Sequence, residues 1–120
     1  MSDLQTLDPA AIESLRSLSP DSDGSFLREL VEIYLQDTPL RFADLDAALA
    51  KADAHALMRA AHTIKGSSSN FGANKLAHLA REIEMHGKAG NCGPVPPLVA
   101  PLKAEYALVA EGLKQILNGT

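Results

Sequence analysis

The chain of 120 residues has one cysteine, no tryptophan and an aromatic share of only 4%. A lone Cys92 excludes a disulfide within the chain, and its setting between Asn91 and Gly93-Pro94 reads as an incidental loop thiol. No cluster of Lys and Arg occurs and the formal net charge is −4, so the electrostatic footprint of a nucleic-acid binder is missing. No run approaches the roughly 18 apolar residues of a membrane span. Met1 leads into Ser-Asp-Leu-Gln-Thr, without a basic segment followed by an apolar one. A cytoplasmic protein with neither nucleic acid nor membrane as partner is therefore expected. With so few rings, Leu, Ala, Ile and Val must fill the core, which favours helices packed on helices.

Hydrophobic residues make up 46% and charged residues 22%, a balance that suits one folded domain over residues 1–120. Asp8-Pro9 supplies an N-cap and a proline at the first helical position, and Ile12, Leu15 and Leu18 follow at helical spacing. Ser19 to Gly24 breaks this short helix. A long second helix then carries Leu27, Leu30, Val31, Tyr34, Leu45 and Leu49 near one stripe, with a kink expected near Thr38 because Pro39 removes a backbone hydrogen bond. From about Asp53, a third helix places Leu57, Ala61, Ile64, Ser68 and Phe71 on one face, and Gly72 ends it. Leu76, Leu79, Ala80 and Ile83 form a fourth stripe, closed by Gly87 and Gly90. The stretch through Pro94, Pro96 and Pro97 reads as a rigid non-helical loop. Val99, Leu102, Tyr106, Val109, Leu113 and Ile116 mark the last helix, with Pro101 expected in its first turn. No alternating strand pattern or internal repeat occurs. The pattern predicts an all-α fold, an antiparallel four-helix bundle with a short additional N-terminal helix capping one end.

A rotation of about 100° per residue puts His55, Met58, Arg59, Lys65, Gly66 and Ser69 around His62, opposite the apolar face of the third helix. His62 is thus expected to face solvent. Gly66 is unfavourable in a helix interior by roughly 1 kcal/mol relative to Ala, and close approach by another molecule would explain it. Lys65 can bring an ammonium to an anion on His62, and a flexible point charge suits a group that arrives and leaves. Ser67, Ser68 and Ser69 are small and leave the surface uncluttered.

The run His62-Thr63-Ile64-Lys65-Gly66-Ser67-Ser68, followed by Gly72-Ala73, Leu76, Leu79-Ala80 and Ile83-Glu84, resembles the histidine phosphotransfer domain of multistep phosphorelays. The motif covers roughly residues 54 to 87, and the flanking helices match in length, order and apolar pattern. The resemblance implies that His62 is the phosphorylated residue, that Lys65 balances the phosphoryl charge and that Gly66 lets the partner approach closely. It further implies that Glu84 hydrogen-bonds the imidazole, with Met58, Arg59 and Ser69 in the partner contact. The implied partners are response-regulator receiver domains and a hybrid sensor histidine kinase. The chain would then be a carrier with no ATP site and no cofactor of its own, Mg²⁺ being supplied by the receiver. The sequence carries neither a kinase ATP-binding segment nor a receiver, so it resembles a free-standing member or an excised domain.

Other chemistries fit less well. His78, Glu82 and His86 stand at successive i+4 steps and would approach a metal from one helix, yet imidazoles eight residues apart diverge around it. The order around Gly66 to Lys75 breaks the pattern of a phosphate loop, and no strand precedes it. Acyl transfer lacks a triad, since the serines share a helix with His62 and no acidic orienter is evident. The remaining alternative is a helical adaptor that binds partners without being phosphorylated.

Overall fold

The computed structural model describes residues 6–19 and 24–118. Five helices make up the fold, with no strand among the described residues: α1 (Pro9–Arg16), α2 (Ser25–Ala50), α3 (Ala54–Ser69), α4 (Asn74–Lys88) and α5 (Pro96–Asn118). The starts of α1 and α3 follow from side-chain chemistry. Asp8 caps α1 by accepting from the Ala10 amide at 3.0 Å, and Asp53 caps α3 by accepting from Ala56 at 3.0 Å. Gly24 enters α2 in the left-handed region, at φ 80°, and has no capping side chain. The buried Ser19 hydroxyl accepts from the Phe26 amide at 2.9 Å instead, so the first residue of the break also serves the next helix. Residues 20–23 of the expected break lie outside the described residues.

The buried stripe of α2 is Leu27, Val31, Tyr34, Thr38, Phe42, Leu45 and Ala48, at steps of three and four. Leu30 and Leu49 of the expected stripe are only partly buried. The helix runs as one element through Pro39. Each of α2 and α4 packs on both α3 and α5, which closes a ring of neighbours. The long-range pairs fix the antiparallel sense. Met58 and His62 of α3 meet Gly87 and Glu84 of α4, while Arg28 and Asp46 of α2 reach Leu117 and Lys103 of α5. The bundle is therefore up-down-up-down.

A chain of rings fills its middle: Tyr34 lies 5.0 Å from Phe71 and 5.7 Å from Tyr106, and Phe42 lies 5.2 Å from Tyr106. The Tyr34 hydroxyl finds the Ser68 hydroxyl at 2.8 Å in the core. Burial raises the Tyr34 phenol pKa, and the Ser68 bond only partly offsets that. The short α1 caps the end where α3 gives way to α4. There the Asp8 amide donates to the Phe71 carbonyl at 3.4 Å, and Leu7 lies against Gly112 of α5.

Three sequence expectations are corrected. Gly87 does not close α4; it lies buried within the helix, which runs on to Lys88 before turning at Gly90, φ 74°. Pro96 and Pro97 are not loop residues but form the first turn of α5, where their missing amides would have had no helical partner. Pro101 in turn sits beyond that first turn, inside the helix.

Candidate functional site

α3 and α4 form the most extensive helix pair of the bundle, and the site lies on their seam. Their close approach has a local cause. An added Cβ on Gly87 would stand 2.9 Å from the Ala54 carbonyl oxygen and 2.9 Å from both the Met58 amide nitrogen and its Cβ, closer than real contacts allow. Only glycine fits there. Glu84 precedes Gly87 by three residues and His62 follows Met58 by four, so the next contact along the seam is His62 with Glu84.

The His62 side chain is 63% exposed, whereas that of Glu84 is 3% exposed. His62 Nδ1 lies 2.7 Å from Glu84 Oε2, and Lys65 Nζ lies 2.7 Å from Glu84 Oε1. Lys88, one turn further along α4, brings its ammonium to 3.7 Å from Oε2. Burial pushes the Glu84 carboxyl pKa up, but the hydrogen bonds from Lys65 and His62 and their charges outweigh it, leaving it below the usual range. An ionised carboxylate only accepts hydrogen bonds. Nδ1 of His62 therefore carries the proton that it donates to Glu84, and the lone pair of the neutral ring sits on Nε2.

Gly66 is exposed, and an added Cβ would meet nothing within 4 Å, which removes helix packing as its explanation. Met58 is half-buried against Gly87, whereas Arg59 and Ser69 are exposed on the same helix. Arg59 also lines a groove between α2 and α3 together with Arg41 and Lys51. The serines are otherwise engaged. Ser67 donates to the Thr63 carbonyl at 3.0 Å, Ser69 donates to Lys65 at 2.8 Å and Ser68 pairs with Tyr34. Glu84 stands beside His62 where the resemblance put an imidazole partner, so an acidic orienter is present after all, yet each neighbouring serine bonds within the bundle.

Among the described residues no group of three His, Cys, Asp or Glu side chains is arranged to hold a metal ion, and no helix is long and apolar enough to cross a membrane. His78 pairs with Glu82 at 3.1 Å on the exposed side of α4. Lys88 was not singled out from sequence, and Gly87 was read only as a helix end. The signal for Lys88 was its i+4 spacing from Glu84.

Comparison with known proteins gives a consistent picture. The profile of the Hpt domain matches residues 29–118. The chain is 31% identical to histidine-containing phosphotransfer protein B from Pseudomonas aeruginosa, and the two folds superpose with a TM-score of 0.87 over 98% of this chain and 99% of that one. It is 26% identical over 108 residues to histidine-containing phosphotransfer protein 4 of Arabidopsis thaliana, covering 88% of this chain and 85% of the relative. The HPT domain of a sensor hybrid histidine kinase from Shewanella shares the fold, with a TM-score of 0.76 at 22% identity over 98% of each chain.

Proposed function

The chain belongs to the Hpt domain family, and from that premise we propose that it is a phosphorelay carrier whose His62 accepts a phosphoryl group and hands it on. The donor is the aspartyl phosphate of a receiver domain or a histidine kinase, and the acceptor is another response-regulator receiver. The observation that carries this reading is the exposed His62 ring, held through Nδ1 by the buried Glu84 carboxylate at 2.7 Å. That bond leaves Nε2 as the nucleophile. A ring with one nitrogen occupied and its rotation limited meets an incoming phosphorus with little orientational loss.

The other residues take supporting parts in the proposal. Lys65, bound to Glu84 in the resting protein, is near enough to share its charge with the phosphoryl oxygens. Gly66 leaves the next turn bare, so a partner can lie against the helix. Met58, Arg59 and Ser69 border the contact. Mg²⁺ belongs to the receiver in this reading and neutralises charge on the transferring group; the chain brings no ATP site and no cofactor. A hybrid sensor kinase as upstream source and a cytoplasmic location complete the proposal.

The test is to incubate the protein with a panel of receiver domains carrying labelled aspartyl phosphate and follow the label. Transfer to the chain by at least one receiver, and from it to a second, is the expected result. A folded chain that binds receivers but takes label from none of them would instead be an adaptor.

A further inference from the structure

The pairing of a solvent-facing imidazole with a buried anion has a consequence for the proton on the ring, and it rests on the carrier reading above. We infer that Glu84 makes transfer through His62 proton-neutral: one proton stays on Nδ1 before the phosphoryl group arrives, while it is carried and as it leaves.

On acceptance, the Nε2 lone pair forms the N–P bond while the bond from phosphorus to the aspartyl oxygen breaks and its electron pair returns to the donor carboxylate. Nε2 now has no lone pair to share, and with Nδ1 still protonated the ring is a cation. In water such a ring readily loses the Nδ1 proton. Beside Glu84 it does not, because the carboxylate accepts that same hydrogen bond and supplies the opposite charge at 2.7 Å in a position that is almost closed to solvent. On donation the steps run backwards. The acceptor carboxylate forms its bond to phosphorus, the N–P pair returns to Nε2, and the leaving group is neutral imidazole. Without the Nδ1 proton it would be imidazolate, a far poorer leaving group. A neutral amide in place of Glu84 could orient the ring but could not hold the cation.

The charges around Glu84 keep it an anion for this purpose. From α3 it meets His62 and Lys65, and from its own helix Lys88. The carboxylate that α5 buries near α4, Glu105, pairs with Lys75 at 3.8 Å, more than two turns of α4 away from Glu84, and Lys103 of α5 pairs with Asp46 of α2. No second carboxylate competes at His62 among the described ion pairs.

The experiment labels the full chain with phosphoramidate as a small-molecule donor and follows hydrolysis of the phosphohistidine by ³¹P NMR from pH 6 to 10. Protonation of the ring is read in parallel from its ¹⁵N shifts. Wild-type protein should keep the ring proton, and rapid hydrolysis, to a higher pH than Glu84→Gln, so that near pH 8 to 9 the variant holds its phosphoryl group on the order of tenfold longer. Coincident ring titrations and lifetimes overturn the inference while leaving the carrier reading in place. Failure of the wild-type protein to take an acid-labile label at His62 overturns both. Should Glu84→Gln not fold, phosphorylated wild type unfolded in urea serves as the reference, and a folded-state titration no higher than the unfolded one again overturns it.

Discussion

Gly87 and Met58 touch across the α3–α4 seam with no room for a side-chain carbon between them, and this contact sets the distance at which His62 and Glu84 meet one turn away. Gly87→Ala must part the two helices, because two of the three atoms that it would strike belong to the α3 backbone. A loss of about 1 to 3 kcal/mol is expected, as for overpacking elsewhere. The same shift loosens the His62–Glu84 bond, so phosphoryl acceptance should fall together with the melting temperature in paired thermal and transfer assays.

Gly66 should behave in the opposite way. Its Cβ would point into open space and its backbone is helical, so Gly66→Ala is expected to raise stability by up to roughly 1 kcal/mol. Gly66→Gln should fold equally well but lose transfer, since its longer side chain fills the room left for a receiver. Equal transfer rates for both variants and wild type would remove partner approach as the reason for this glycine.

The buried carboxylate gives the protein an acid limb. Because the folded-state pKa of Glu84 lies below its ordinary value of 4.5, the associated stability is present above that value and is lost as pH falls through the lower folded value. Denaturation curves from pH 6 down to 3 should therefore be flatter for Glu84→Gln than for wild type. Lys65→Ala should destabilise the neutral-pH protein by about 1 to 3 kcal/mol, the range for a hydrogen bond to a charged group, and slow transfer. An unchanged stability would mean that Lys88 replaces it.

Within the core, Tyr34→Phe leaves the buried Ser68 hydroxyl without its partner at 2.8 Å. A loss of about 1 to 3 kcal/mol is expected, with transfer by the folded fraction unaltered, because Ser68 faces away from His62.

The sequence made the helices and the open face legible because each depends on local pattern: caps at Asp8 and Asp53, a stripe from Leu57 to Ile64, and His62 opposite it. Contacts between helices were less legible. The burial of Glu84 depends on how near α4 comes to α3, and that depends on Gly87, whose proximity to the helix end made it look like a terminator. The Lys65–Glu84 pair was hidden for the same reason, since the two residues are nineteen apart in sequence and become neighbours only through the bundle. Pro96 and Pro97 misled in another way. Paired prolines suggest a loop, yet the first turn of a helix tolerates them because its amides have no helical partner.

The most direct test is to offer labelled phosphoryl groups to wild type and His62→Gln side by side, after circular dichroism has verified equal helix content. The expected result is label on wild type that is lost in acid and kept in base, as a phosphoramidate requires, and none on the variant. Label on His62→Gln at the wild-type level, or acid-stable label on either protein, would contradict the account.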